Sequence, residues 1–120
     1  MRKKILFVDD EKDLVEMVKS HFEIYGYDVV TAFTGKEALE KAGAGDIDLI
    51  LLDIMMPGMD GYEVLRILKS TPATNRIAVI MLTAKSETGS LLKSQDLGAT
   101  DYVIKPFDFG ELLSLVKRYI

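Results

Sequence analysis

Short apolar runs and segments of helical periodicity alternate five times along this chain, and few folds accommodate that order. Residues 5–8 (ILFV) are continuously apolar, as a strand covered on both faces must be. From residue 12 to residue 25 the apolar positions Leu14, Val18, Phe22 and Tyr25 recur at helical spacing, and Gly26 supplies a stop. Residues 27–31 read as a second strand. Thr34-Gly35-Lys36-Glu37 matches a capping box and opens a short helix that fades in Ala42-Gly43-Ala44-Gly45. A third strand is expected over 48–53, a helix over 61–70 closed by Thr71-Pro72, and a fourth strand over 77–83. A weak helix is expected over about residues 86–97, because Thr88-Gly89-Ser90 is a poor helix-forming triplet. Residues 101–104 read as the fifth strand, and Asp108-Phe109-Gly110-Glu111 as a second capping box that starts the last helix.

Strands that alternate with helices through short loops imply a parallel sheet with helices on both faces, an α/β three-layer sandwich. Strands one, three and four are uniformly apolar and belong at the centre. Strands two and five carry Asp28, Thr31 and Asp101 and belong at the edges. The order 2-1-3-4-5 meets both conditions and is a common doubly wound arrangement. Sheets of this kind bind ligands beyond the carboxyl ends of their strands, where the strand order reverses. Here that place lies between strand one, which ends in Asp9-Asp10, and strand three, which ends in Asp53.

With 120 residues the chain reads as one domain, 1–120, and its 48% hydrophobic content suffices for a sizeable core. A charged fraction of 28% and a net charge of −4 argue against general nucleic-acid binding, which needs a basic face. The absence of cysteine excludes a disulfide scaffold and a thiolate zinc site. The basic start and residues 5–8 imitate a signal peptide only briefly, because Asp9-Asp10-Glu11 ends the run short of the about 7–15 apolar residues required. No run approaches membrane-spanning length, so a cytoplasmic protein without membrane contact is expected.

An ionised Asp53 at the end of a buried strand needs a partner, or its pKa must rise until it is neutral. Three carboxylates in one cleft repel one another, and oxygen-only ligands without nearby His or Cys point to a hard divalent ion, Mg²⁺ before Ca²⁺. A carboxylate beside such an ion can also attack phosphorus and form an acyl phosphate. Thr83, closing strand four, offers a hydroxyl to a phosphoryl oxygen, and Lys105, after strand five, offers a positive charge. A cis bond to Pro106 would be compatible with an inward-pointing ammonium. Taken singly, these residues have ordinary explanations as turn residues and caps. His21 reads as a helix residue rather than a catalyst, and Met55, Met56 and Met59 as packing or loop residues. What outweighs those readings is that four strand ends each carry a group suited to one phosphoryl site.

The segments ILFVDDE, LILLDIMMPGMDGYEVL, VIMLTAKS and LGATDYVIKPFD resemble, in order and spacing, the receiver domain of two-component response regulators. The resemblance covers nearly the whole chain. It implies a flavodoxin-like fold like that of the chemotaxis regulator, with Asp53 as phosphoacceptor and Asp9 and Asp10 holding Mg²⁺ together with Asp53 and the Met55 carbonyl. It implies further that Thr83 and Lys105 engage the phosphoryl group and that Tyr102 is the aromatic switch residue. The donor would be a phosphohistidine on a sensor histidine kinase or a histidine phosphotransfer protein. The output would be a conformational signal to an effector or output domain, or a phosphorylation-linked homodimer, through the face of the fourth predicted helix, fifth strand and last helix. Met55 and Lys85 would flank the approach of hydrolytic water, so slow self-dephosphorylation is expected. Three other readings compete. An aspartate-nucleophile phosphatase would usually need an acid two positions on, where Met55 stands. A flavin module is disfavoured by Asp9-Asp10-Glu11, which repels a flavin phosphate. A phosphorylation-independent docking module would tend to lose site residues, and none is lost here.

Overall fold

The computed structural model describes residues 2–84 and 96–120. Its elements run β1 (Lys4–Val8), α1 (Lys12–Ile24), β2 (Asp28–Ala32), α2 (Gly35–Gly43), β3 (Leu49–Asp53), α3 (Gly61–Ser70), β4 (Ala78–Ala84), β5 (Asp101–Lys105) and α4 (Phe109–Lys117). Apart from residues 96–97, the weak helix expected over 86–97 lies outside the described residues, with its Thr88-Gly89-Ser90 triplet, and so does Lys85.

All four strand pairings are parallel, and the sheet order is β2-β1-β3-β4-β5. Strands β1, β3 and β4 are buried almost throughout, whereas β2 and β5 have partly exposed positions, as edges do. Alternation along each strand sends successive side chains to opposite faces and divides the core in two. Ile5, Phe7, Leu49 and Leu51 pack with Val18 and Phe22 of α1 and Leu112 and Val116 of α4. Leu6, Val8, Ile50 and Leu52 pack on the other face with Ala38 of α2 and Val64, Leu65 and Leu68 of α3. These strands therefore read as unbroken apolar runs because both faces are covered by helices. Among the described residues, no helix is long and apolar enough to cross a membrane.

Both expected capping residues act as caps. The Glu37 N–H donates to Thr34 Oγ1 (3.1 Å), while the Glu37 carboxylate accepts the Phe33 N–H (2.7 Å), one residue before the cap. At α4 the Glu111 N–H donates to the Asp108 carboxylate (2.7 Å). Strand five extends one residue past its expected end at Ile104, because Lys105 still pairs with Ala84. Thr83 and Lys105 are thus held inside the sheet ladder rather than on a loop.

The turn between β3 and α3 is closed by a contact that only glycine permits. The Gly61 N–H donates to the Ile54 carbonyl at 2.9 Å, and a Cβ at Gly61 would lie 2.3 Å from the Asp53 carbonyl oxygen and 2.7 Å from Ile54 Cα. Those atoms are backbone and cannot swing away. Gly61→Ala should destabilise the fold by on the order of 1–3 kcal/mol through overpacking. That loss should outweigh the gain of about 1 kcal/mol that alanine brings over glycine in a helix. Urea unfolding of the variant measures the balance, and a net stabilisation would contradict the close approach.

Candidate functional site

Register builds the site. In the β1–β3 pair Val8 lies opposite Leu52, so the next residue of each strand is Asp9 and Asp53. In the β3–β4 pair Asp53 lies opposite Leu82, which Thr83 follows, and in the β4–β5 pair Ala84 lies opposite Lys105. Four strand ends therefore converge on one edge of the sheet. Asp9 is fully buried, Asp53 and Thr83 are nearly so, and Asp10 is exposed. One oxygen from each of Asp9, Asp10 and Asp53 lies within 4.8 Å of the others.

Among the described residues, a single ammonium serves most of this negative charge. Lys105 Nζ lies 2.6 Å from Asp9 Oδ2 and 3.5 Å from both Asp53 Oδ1 and Glu11 Oε1. The other Asp9 oxygen accepts the Glu11 N–H at 3.0 Å, so both carboxylate oxygens of Asp9 are engaged. Burial lowers the Lys105 pKa, but the hydrogen bond to Asp9 and the charges of Asp53, Asp9 and Glu11 outweigh it and leave the pKa raised. Burial first, and the Asp9 charge second, push Asp53 up from 3.8 to about 7 against the pull of Lys105 and the Met55 N–H. The cluster thus has an excess of carboxylates that one lysine does not neutralise. An all-oxygen donor set with that excess fits a hard divalent cation.

The other expected site residues are distributed as follows. Thr83 directs its hydroxyl to the Ala84 carbonyl at 3.3 Å, a weak local bond. The Met55 side chain is exposed beside Asp53, whereas Met56 is buried in the core. Tyr102 is 45% exposed and lies outside the carboxylate cluster on β5, opposite Met81. The Lys105–Pro106 peptide is cis, and the ammonium reaches into the cleft. His21 is an exposed helix residue whose Nδ1 lies 2.7 Å from the Met17 carbonyl oxygen, away from the site. Sequence reasoning missed the contact of Glu11 with Lys105. The available signal was a glutamate at a helix N-cap, where Ser, Thr, Asp or Asn is preferred.

A family model described as response regulator receiver domain matches residues 5–117. The chain belongs to this family. It is 41% identical over 117 residues to the response regulator ArlR of Staphylococcus saprophyticus, covering 98% of this chain and 52% of that protein. It is 44% identical over 120 residues to the alkaline phosphatase synthesis transcriptional regulatory protein PhoP of Bacillus subtilis, covering 100% of this chain and 49% of that protein. The chain thus spans about half the length of these curated relatives. Among solved structures, the chemotaxis protein CheY4 of Vibrio cholerae superposes with a TM-score of 0.93 at 32% identity, covering 100% of both chains. The receiver is therefore a phosphoacceptor module of two-component signalling with the flavodoxin-like architecture of the chemotaxis regulators.

The elevated pKa of Asp53 carries a stability cost with a defined sign. Its native value of about 7 lies above the ordinary 3.8, so between those values the native state binds the proton more tightly than the unfolded chain. Without divalent cation, the Asp53 contribution to stability should fall as pH rises from 3.8 to about 7 and then level off. Asp53→Asn should therefore be more stable than wild type at alkaline pH, by at most about 4 kcal/mol for the full shift. The gap should narrow on acidification and close near the ordinary Asp pKa. Urea unfolding in the presence of a chelator measures this difference, and one independent of pH would refute the assignment.

Proposed function

We propose that this receiver, residues 1–120, accepts a phosphoryl group on Asp53 in a Mg²⁺-dependent reaction and changes conformation to control a partner. The observation that carries the reading is the buried Asp53 within the cluster of three carboxylates and 3.5 Å from Lys105. The donor is a phosphohistidine of a sensor histidine kinase or histidine phosphotransfer protein. A carboxylate oxygen of Asp53 attacks the phosphorus, and the P–N bond to the donor imidazole breaks. The electron pair of that bond stays on the imidazole nitrogen, which becomes the leaving group. Without a cation the Asp53 pKa is about 7, and a divalent cation held at the cluster would lower it and favour the ionised, nucleophilic carboxylate.

Asp9, Asp10, Asp53 and the Met55 carbonyl are the residues that would hold Mg²⁺. When bound, Mg²⁺ neutralises phosphoryl oxygens and aligns donor and acceptor. Lys105 then exchanges carboxylate partners for the phosphoryl group, and the Thr83 hydroxyl exchanges its weak bond to Ala84 for a phosphoryl oxygen. That movement vacates space for the Tyr102 ring and alters the face formed by β5 and α4. A cavity of about 750 Å³ along β5 and α4, lined by Tyr102, Ile104, Glu111 and Arg118 among others, supports that face as the surface read by an effector, an output domain or a second copy. The net charge of −4 supports signalling through protein partners rather than direct nucleic-acid contact. The product is a signal, so the domain acts as a switch and not as a turnover enzyme.

Incubation with acetyl phosphate and Mg²⁺ should add one phosphoryl mass to wild type and none to Asp53→Asn or to a metal-free sample. Modification mapped to another wild-type residue would sink the reading. Lifetime tests the flanking residues. The Met55 side chain cannot orient a hydrolytic water as an amide can, and Lys85 is long enough to cover the phosphoryl group. Met55→Asn should therefore lose the phosphoryl group several-fold faster than wild type in a decay assay. An equal or slower decay would remove Met55 from this role.

A further inference from the structure

The helix α1 has an anomalous start. Its N-cap is Glu11, whose side chain makes no capping bond, whereas Thr34, Asp60 and Asp108 each accept a backbone N–H at the starts of α2, α3 and α4. Side-chain capping by Ser, Thr, Asp or Asn is the favoured arrangement at this position. Glu11 instead turns across the cleft rim and brings Oε1 to 3.5 Å from Lys105 Nζ. Its own N–H is already held by Asp9 at 3.0 Å, so the backbone is fixed while the 66% exposed side chain is free to swing. Glu11 and Lys105 also line a common cavity of about 310 Å³ with Leu14, Pro106 and Phe107, which leaves the pair room to move.

Among the described residues Lys105 has three carboxylate partners, and two of them, Asp9 and Asp53, belong to the proposed cation site. Those two are shared with the cation, whereas Glu11 is not. We propose that Glu11 is a positioning residue that holds the Lys105 ammonium on the α1 side of the cleft and competes with the phosphoryl group for it. This rests on the reading of Asp53 as phosphoacceptor. The competition slows transfer in two ways: it draws the Lys105 ammonium away from the incoming anion, and it adds negative charge at the rim.

Glu11→Gln and Glu11→Asp separate the parts of this proposal. Glutamine removes the charge. Aspartate keeps the charge but is one methylene shorter and is a favoured cap, so it should bond the first turn of α1 as Asp60 and Asp108 do for their helices. Both variants should take up the phosphoryl group from acetyl phosphate at least threefold faster than wild type and retain it longer. Glu11→Asp should also melt at a higher temperature than wild type, and Mg²⁺ affinity should stay within about twofold in both. A wild-type rate in Glu11→Gln would overturn the proposal. So would a wild-type rate in Glu11→Asp beside a fast Glu11→Gln, since net charge alone would then govern. A tenfold loss of Mg²⁺ affinity would make Glu11 a ligand and overturn it too. Failure of wild type to accept a phosphoryl group would instead refute the phosphoacceptor reading itself.

Discussion

The ion pair between Lys105 and Asp9 joins residues 96 positions apart, at the end of β5 and just beyond β1, across the carboxyl edge of the sheet. Asp9 is fully buried, and an unpaired charge there would be untenable. Breaking a buried pair of this kind by removing one partner typically costs about 3–5 kcal/mol. The pair therefore makes the cluster a folded feature, not a loose collection of surface acids. It also makes the lysine a limited resource. Asp53 and Glu11 each obtain only a 3.5 Å share of the same ammonium.

Burial first, and the neighbouring Asp9 charge second, explain why the Asp53 pKa lies near neutral pH. A strand end covered by two apolar cores, with Asp9 as neighbour, raises its pKa to about 7, and the fold carries the resulting strain as a local loss of stability. The surrounding apolar burial offsets it. Site residues that oppose stability and core residues that supply it lie next to each other in the chain, as in LILLD at 49–53, because the strand that anchors the core must end at the chemistry.

The fold was readable in the sequence wherever one physical signal sufficed. The period of apolar residues located α1 at Lys12–Ile24, and the boxes at Thr34 and Asp108 marked helix starts, because these are local interactions within a few turns. The sheet order followed from which strands carry polar residues, since edge and centre differ in burial. The meeting of Asp9, Asp10 and Asp53 followed from topology alone. The direction of the Glu11 side chain did not, because it depends on a lysine that is distant in sequence and on a backbone N–H already taken by Asp9. The extension of β5 to Lys105 was equally hidden: hydrogen-bond pairing with Ala84, not residue preference, sets where that strand stops.

That extension gives the site a mechanical gradient. Asp9 and Asp53 come from the ends of strands flanked on both sides and packed between two cores, so displacing them means disturbing close-packed apolar groups. Lys105 and Tyr102 belong to β5, which among the described residues pairs only with β4 and has only Val103 buried among its five residues. Fewer contacts resist a shift there, and local opening is easiest where buried contacts are few. A change of partner by Lys105 therefore acts on the most compliant strand of the sheet, while the carboxylates that perform the chemistry remain held by the least compliant ones. The same ammonium that compensates the buried charge is thus the side chain best placed to carry a change in that charge to the outer face of the sheet.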